Sequence, residues 1–587
     1  MSPAQEIGHC KICHTNNLIT FISFGEMPVA NAFLRKEEVE NPSFKEFKYE
    51  MKVGFCENCK MVQLVNIVPY EKYIVPDEKG KRNYAFFAST SKVMEQHFSE
   101  IAKEIENRFL DKSSKILEIG SNDGIFLKAF KSNPVLGIEP SDNVAEIAKK
   151  LGIETITEFF SESLARRISL ERGKFKAIFS ANVILNIIDL HDLLNGINYL
   201  LEDNGAFIFE DPYIVDILKK VSYDQIYDEH IWYFSLTSLN NLLKMHGLEL
   251  FDAEKLETHG GSMRKYVCKK GKYPPTERLL RYLAEERDNG INTLAPYLKF
   301  AKEVEESKEE LIRLLRDIKS KGKKIVGYAA ASKGTIVQNY CGIGRELIDY
   351  ISDSTPFKQG LYSPGNHIPV VAPEYFHNDK KTDYALLGAW NHADEIIGKE
   401  KEFIQRGGRF IVHYPKARIL ESGNLPDIES HADTTQSSDL IPGVEVKKLK
   451  IFANDQGYLF ETLRNDDAFF NGVFGQVLMI EIYPGVIKGY HLHKKHDEYI
   501  TCVKGNVKYV IVQENPNGTK KINKFVIGEK NPALIKVPKG LWRAYMPLGN
   551  QPAMIMDVMS RPYDSKDPDT EEKGIMDFGD VWTVKNG

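Results

Sequence analysis

Hydrophobic and polar residues change their period several times along the chain, and those changes divide it. Up to about residue 75 the apolar runs are short and irregular and predict no long element. From Ser91 to Phe109 apolar positions recur at helical spacing, leading into an apolar strand at Lys115–Ile119. Further strands are expected at Val135–Ile138, Ala177–Phe179 and Ala206–Phe209, with helical patterns between them. That alternation predicts a parallel α/β sheet. Pro274 to Lys319 is charged and helix-periodic, either a solvated connector or a helical pair lining a substrate. A second α/β stretch opens at Lys324–Tyr328 and runs to about Pro415. Residues 423–442 are polar and turn-rich and read as a linker. Beyond them, short β runs divided by Gly, Pro and Asn predict an all-β sandwich or barrel of about 145 residues.

The expected class is therefore a multidomain α/β protein with an all-β carboxy-terminal domain. Its expected parts are a cysteine-bearing domain (1–75), a Rossmann-like domain (76–270), a second α/β domain (271–422) and the β domain (443–587). A length of 587 residues requires several cores. With 42% hydrophobic and 27% charged residues and no apolar run near the roughly 20 residues of a membrane span, a soluble protein is expected. The amino terminus lacks the basic-then-apolar pattern of a secretory signal, so a cytoplasmic location is expected. A net charge of −5 gives no support for binding nucleic acid or anionic membrane.

Of the seven cysteines, four form two CxxC pairs, Cys10/Cys13 and Cys56/Cys59. Four thiolates so paired suit one tetrahedral, structural zinc. The segment Glu118-Ile-Gly120-Ser121-Asn122-Asp123-Gly124 closes the first strand as an acidic, glycine-bearing turn of the kind that holds S-adenosylmethionine. Its glycines let the backbone approach a ligand, and Glu139, ending the next strand, can hold both ribose hydroxyls. A nicotinamide enzyme also fits this turn, although GxGxxG is missing. Tyr227, Glu229 and His230 lie within four residues, just past the expected sheet, and together suggest proton transfer.

These motifs resemble the sugar C-methyltransferases that act on nucleotide-linked 4-keto-deoxysugars, from Cys10 to about Arg418. The resemblance is carried by the CxxC pairs, EIGSNDG, YDQIYDEH, Thr258-His-Gly-Gly-Ser-Met-Arg264, Gly327-Tyr-Ala-Ala-Ala-Ser-Lys-Gly334, Asp353-Ser-Thr-Pro-Phe-Lys358-Gln-Gly and Pro364-Gly-Asn-His-Ile-Pro-Val370. It implies that Tyr227, Glu229 and His230 line the reaction centre with His230 as base, and that Tyr84 joins them. Asn182 is implicated beside the cofactor. Asn186 stands where members commonly carry a His; it can hydrogen-bond a sugar but cannot titrate. The resemblance further implies that His259, Gly261, Ser262 and Arg264, then Ser332 and Lys333, and then Lys358, His367, Trp390 and Asn391 contact the nucleotide-sugar.

In the β segment, Gly485-x5-His491-x-His493-x4-Glu498-x6-Gly505 fits the first cupin motif, so a jelly-roll barrel is expected. His491, His493 and Glu498 could hold a divalent metal, but Arg543 stands where the second motif would supply a His, and it favours an anion. The segment resembles the dTDP-4-dehydrorhamnose epimerase family through Asn454–Glu461, Phe474–Gln476, Pro484–His491, Val537–Gly540 and Arg561–Asp569. The resemblance makes His491 the base, puts Lys488 at the phosphates, and places Glu461, Gln476, His493, Glu498 and Arg543 around the sugar. The acid position falls at Asp557, with Tyr563 close by. Three readings stay open for this segment: an epimerase, a 3,4-ketoisomerase, or a sugar-binding and dimerising barrel. For the whole chain the leading expectation is a bifunctional enzyme on a dTDP-linked 4-keto-6-deoxysugar, homodimeric through the cupin domain. A zinc-ribbon methyltransferase for RNA or protein is opposed by the acidic balance, and a scaffold with degenerate sites by the intact Y-x-E-H cluster.

Overall fold

The computed structural model describes residues 7–582 except 73–81, 83–86, 88, 90–91, 257–260, 415, 421–439, 450, 455–456, 468–469, 485, 516–517, 530, 549–551, 565, 568 and 580. The chain forms two compact units, Met1–Leu425 and Pro426–Gly587. The expected linker lies largely outside the described residues.

The first unit begins with a five-stranded antiparallel sheet where the sequence predicted no long element. Leu18–Pro28 and Lys48–Cys56 are its long strands, flanked by Ile7–Gly8, Val62–Leu64 and Trp232–Tyr233. The pairing of Leu18–Pro28 with Lys48–Cys56 shifts register at Thr20/Ile22 and again at Ser23/Gly25. Each bulge resets the alternation of faces, which erases the period-2 signal a regular strand would print in the sequence. The last strand comes from far along the chain: Trp232 pairs with Gln63 and Tyr233 with Val62. The residues immediately after His230 are thereby built into the cysteine-bearing domain.

A seven-stranded sheet follows, in the spatial order Leu248–Leu256, Ser262–Lys269, Leu201–Pro212, Phe175–Ala181, Ile116–Ile119, Val135–Ile138, Thr155–Ile156. Its central pairs are parallel, and the Ser262–Lys269 strand joins antiparallel. Ile116–Ile119 is buried throughout, as a strand covered on both faces must be. The strand order reverses beside it, which places a ligand crevice at its carboxyl end.

The charged stretch after Pro274 is two helices, Glu277–Asp288 and Ala295–Ser320. They are not a solvated connector. Tyr297 stacks on Phe55 with centroids 4.7 Å apart, tying the long helix to the first sheet. Glu286, 1% exposed, accepts hydrogen bonds from the Leu236 and Thr237 amides at 2.6 and 2.9 Å, at the start of helix Leu236–Met245. A carboxylate there satisfies orphan amides and meets the positive end of the helix dipole. A six-stranded sheet then forms around Ile325–Tyr328, with Arg418–Leu420 as its antiparallel edge.

The second unit contains two five-stranded antiparallel sheets and a hairpin, and no helix occurs among its described residues. Ile500, Cys502, Ile535 and Ile555 of one sheet share a core with Val507, Tyr509, Ile511 and Phe525 of the other.

Candidate functional site

The four cysteine sulfurs converge. Cys10 Sγ lies 3.6 Å from Cys59 Sγ, and Cys13 Sγ lies 3.6 Å from Cys56 Sγ. All four lie within 4.8 Å of one another. Sulfurs about 2.3 Å from a central zinc would form a tetrahedron with edges of about 3.8 Å, so the donor set fits that ion. No coordination position is left over, which makes the site structural.

At the crevice, Gly120 and Gly124 adopt φ +74° and +81°. A Cβ on Gly120 would meet Val183 at 2.3 Å, so no side chain fits there. Glu139 accepts the Asn122 amide at 3.0 Å through one oxygen and the Ser141 amide at 2.8 Å through the other. Each carboxylate oxygen has a second lone pair to offer a ribose hydroxyl. Glu118 Oε2, Ser121 Oγ and Asp123 Oδ1 are buried around the turn without hydrogen-bond partners. Burial raises the Glu118 carboxyl well above its usual range, and Glu139 and Asp123 push the same way. A glycine cradle lined by unpaired acceptors fits a cofactor that brings its own donors and positive charge, as S-adenosylmethionine does.

The segment Tyr227–His230 is packed between three parts of the first unit. His230 is 8% exposed, and its Nδ1 lies 2.9 Å from the Gln225 carbonyl oxygen. A carbonyl only accepts, so Nδ1 carries the hydrogen of the neutral ring and Nε2 carries the basic lone pair. Tyr227 lies over the ring, with centroids 3.9 Å apart. Asn31 donates to Glu229 Oε1 at 2.8 Å, and the Ala30 amide donates to Asp228 Oδ1 at 2.8 Å. Burial raises Glu229, while Asn31 and Lys358 hold it down; burial also lifts Asp228 to about 7. Lys358 donates to the Ala330 carbonyl at 2.8 Å and lies over the Phe33 ring. Asn186 follows on a short turn whose Leu185 carbonyl accepts the Ile231 amide, and its own Oδ1 is buried without a partner. Asn182, in the left-handed region, donates its amide to the Glu210 carbonyl at 2.7 Å.

Asn31 should therefore tune Glu229. Asn31→Ala removes the amide that favours the carboxylate, so Glu229 titrates higher. The acidic limb of the kcat/KM profile is expected to move to higher pH, and an unmoved limb would show that Glu229 ionisation does not limit turnover.

The remaining expected residues divide. Trp390 Nε1 donates to Asp224 Oδ2 at 2.6 Å, and Lys333 lies 5.3 Å from the Trp390 ring centroid. His413 completes that group, 3.7 Å from Asp224. Ser332 begins the helix that carries Lys333, Asn391 is on the turn with Trp390, and Ser262 begins its strand after Gly261 at φ +123°. His367 instead lies 2.9 Å from Glu46. Arg264 is 6% exposed and pairs with Glu210, Glu104 and Glu254 at 2.7, 3.0 and 3.1 Å. Tyr84 and His259 lie outside the described residues.

In the second unit, His491 is register-paired with Arg543, and its Nδ1 lies 3.7 Å from Glu572. Burial and Lys488 lower the His491 pKa. Arg543 is 4% exposed and binds Glu498 through both Nε and a terminal nitrogen. Asp557 is 5% exposed, and burial followed by Glu498 raises it well above the carboxylate range. Tyr563 is 65% exposed, and Glu461 pairs with Arg464. Gln476 accepts the Tyr563 amide at 3.1 Å.

Family models match along the chain in order: a zinc binding domain at 10–73, a methyltransferase domain at 93–253, a C-methyltransferase C-terminal domain at 257–415, and a polysaccharide biosynthesis C-terminal domain at 453–571. The C-methyltransferase NovU of Streptomyces niveus is 33% identical over 422 residues, covering 71% of this chain and 98% of NovU. The chain belongs to the C-methyltransferase family. Beyond the NovU-like part, this C-methyltransferase carries a segment 33% identical over 132 residues to the spore coat polysaccharide biosynthesis protein SpsL of Bacillus subtilis, covering 22% of this chain and 87% of SpsL. The solved structure of NovW, a 4-keto-6-deoxy sugar epimerase of Streptomyces spheroides, matches 23% of this chain and 72% of its own at 18% identity and a TM-score of 0.22. No described helix of this C-methyltransferase is long and apolar enough to cross a membrane.

Proposed function

We propose that residues 76–422, braced by the zinc domain at 1–75, transfer a methyl group to carbon 3 of a dTDP-linked 4-keto-6-deoxysugar. The observation that carries this reading is the His230 tautomer: Nδ1–H is held by the Gln225 carbonyl, so Nε2 is the basic nitrogen beside Tyr227. A ketone acidifies the hydrogens on its neighbouring carbons. Nε2 of His230 takes one of them, and the resulting enolate oxygen needs donors; Tyr227 and the Asn186 amide supply that type of group. Glu118, Asn122, Asp123 and Glu139 orient the cofactor, and S-adenosylmethionine, when bound, supplies an electrophilic methyl. Lys333, Trp390 and Lys358 bind the nucleotide-sugar. Transfer of labelled methyl from S-adenosylmethionine to that sugar tests the reading, and no label on the sugar overturns it.

The barrel at 443–587 is read as a cupin that inverts a carbon beside the same ketone. His491 removes the hydrogen, and Asp557, whose carboxyl burial and Glu498 push well above the usual range, is the candidate to return one. His491→Asn is expected to abolish solvent deuterium incorporation at that carbon and to leave methyl transfer unchanged. Should the wild-type chain exchange no more deuterium than a 1–422 fragment, the barrel is a binding module. The strand Gln476–Ile482 lies at the edge of its sheet with Val477, Leu478 and Met479 exposed at 47, 39 and 56%, and this apolar edge suits a homodimer contact.

A further inference from the structure

His496 was singled out by no motif, yet it completes a cluster in the second unit. His493 ends the strand Lys488–His493, Glu498 starts the strand Glu498–Lys504, and His496 lies on the turn between them. Asp569 stands just before the strand Thr570–Lys573, which pairs with Lys488–His493. Its two carboxylate oxygens lie 3.2 Å from His493 Nδ1 and 2.9 Å from His496 Nδ1, and the Lys495 amide donates to it at 3.1 Å. Thr570 Oγ1 also lies 3.1 Å from His493 Nδ1.

Where that carboxylate accepts from both Nδ1 atoms, each ring presents its lone pair at Nε2. Those lone pairs face one acceptor. His493 Nε2 is 3.2 Å and His496 Nε2 is 3.6 Å from Glu498 Oε1. His496 is 5% exposed, and its Nε2 is buried without a hydrogen-bond partner. Two imidazole nitrogens converging on one buried carboxylate oxygen are joined by a shared cation, either a proton on a ring or a metal ion. Donors about 2.0–2.2 Å from a tetrahedral ion lie roughly 3.3–3.6 Å apart, close to the two spacings from the histidines to Glu498.

We propose that His493 Nε2, His496 Nε2 and Glu498 bind a divalent cation of the zinc type, with Asp569 orienting both rings and a fourth position open. Arg543 holds the same Glu498 carboxylate and keeps it from turning away. The ligand set differs from the cupin reading of the sequence, which uses His491. Among the described residues His493 and His496 gather with Asp569, whereas His491 faces Glu572.

Zinc content of the full chain, loaded with Zn2+ and desalted, tests this independently of either enzymatic activity. The wild type is expected to hold two zinc ions per chain, the cysteine site and this one. His496→Gln is expected to hold one, and His491→Gln still two. One zinc in the wild type overturns the proposal, as does a folded His496→Gln chain that keeps two, or loss of one on His491→Gln. If His496→Gln fails to fold, X-ray absorption at the zinc edge of the wild type decides. Nitrogen and oxygen ligands at about 2.0–2.1 Å beside sulfur at about 2.3 Å support the site, and a shell of sulfur alone overturns it.

Discussion

His230→Asn is expected to lower methyl transfer by about 10²-fold or more, the usual scale of a general base, and to leave S-adenosylmethionine affinity nearly unchanged. Asparagine can keep a hydrogen bond to the Gln225 carbonyl but has no lone pair of comparable basicity at the Nε2 position. The affinity survives because the acceptors around the cofactor turn, Glu118, Asp123 and Glu139, sit on different strands and loops from residue 230. Single-turnover rates with calorimetric binding separate the two effects. Near-full turnover in this variant would remove His230 from the base role.

Cys56→Ser has a larger structural consequence. It removes one of four zinc ligands, and a structural zinc site is worth about 10–16 kcal/mol in isolated zinc-finger peptides. Cys56 ends the central strand of the first sheet, and that sheet includes Trp232–Tyr233. Loss of the ion is therefore expected to unfasten both the Asn31–Glu229 bond and the strand that follows His230. The variant should lack the cysteine-bound zinc, unfold at lower temperature in its first unit, and lose methyl transfer together with order at Tyr227–His230. Zinc analysis and calorimetry check this. A well-folded wild type without zinc in the cysteine site would contradict it.

Features written in contiguous residues were legible in the sequence. The CxxC pairs, the EIGSNDG turn and the strands at its flanks could be placed because each is local: a fixed spacing, a glycine that must take positive φ, an apolar run of strand length. Ile116–Ile119 and Val135–Ile138 lie within one residue of their expected limits. What stayed hidden was carried by long-range pairing. Asn31 and Glu229 are 198 residues apart, as are Ala30 and Asp228, and no local pattern announces either contact. The first sheet was missed because its bulges break the alternation that would have marked it. The three carboxylate partners of Arg264 were hidden as well, because they come from separate elements of the fold. His413, buried with neither ring nitrogen hydrogen-bonded, had no motif around it at all.

The central claim is methylation of a carbon made acidic by its neighbouring ketone. The most direct test is to incubate the full chain with S-adenosylmethionine and a dTDP-4-keto-6-deoxysugar in D2O and to follow the sugar by mass spectrometry. The account predicts a sugar heavier by one methyl group, with that methyl replacing a hydrogen at the carbon next to the ketone. A sugar that gains no methyl, or gains it on an oxygen, would contradict it.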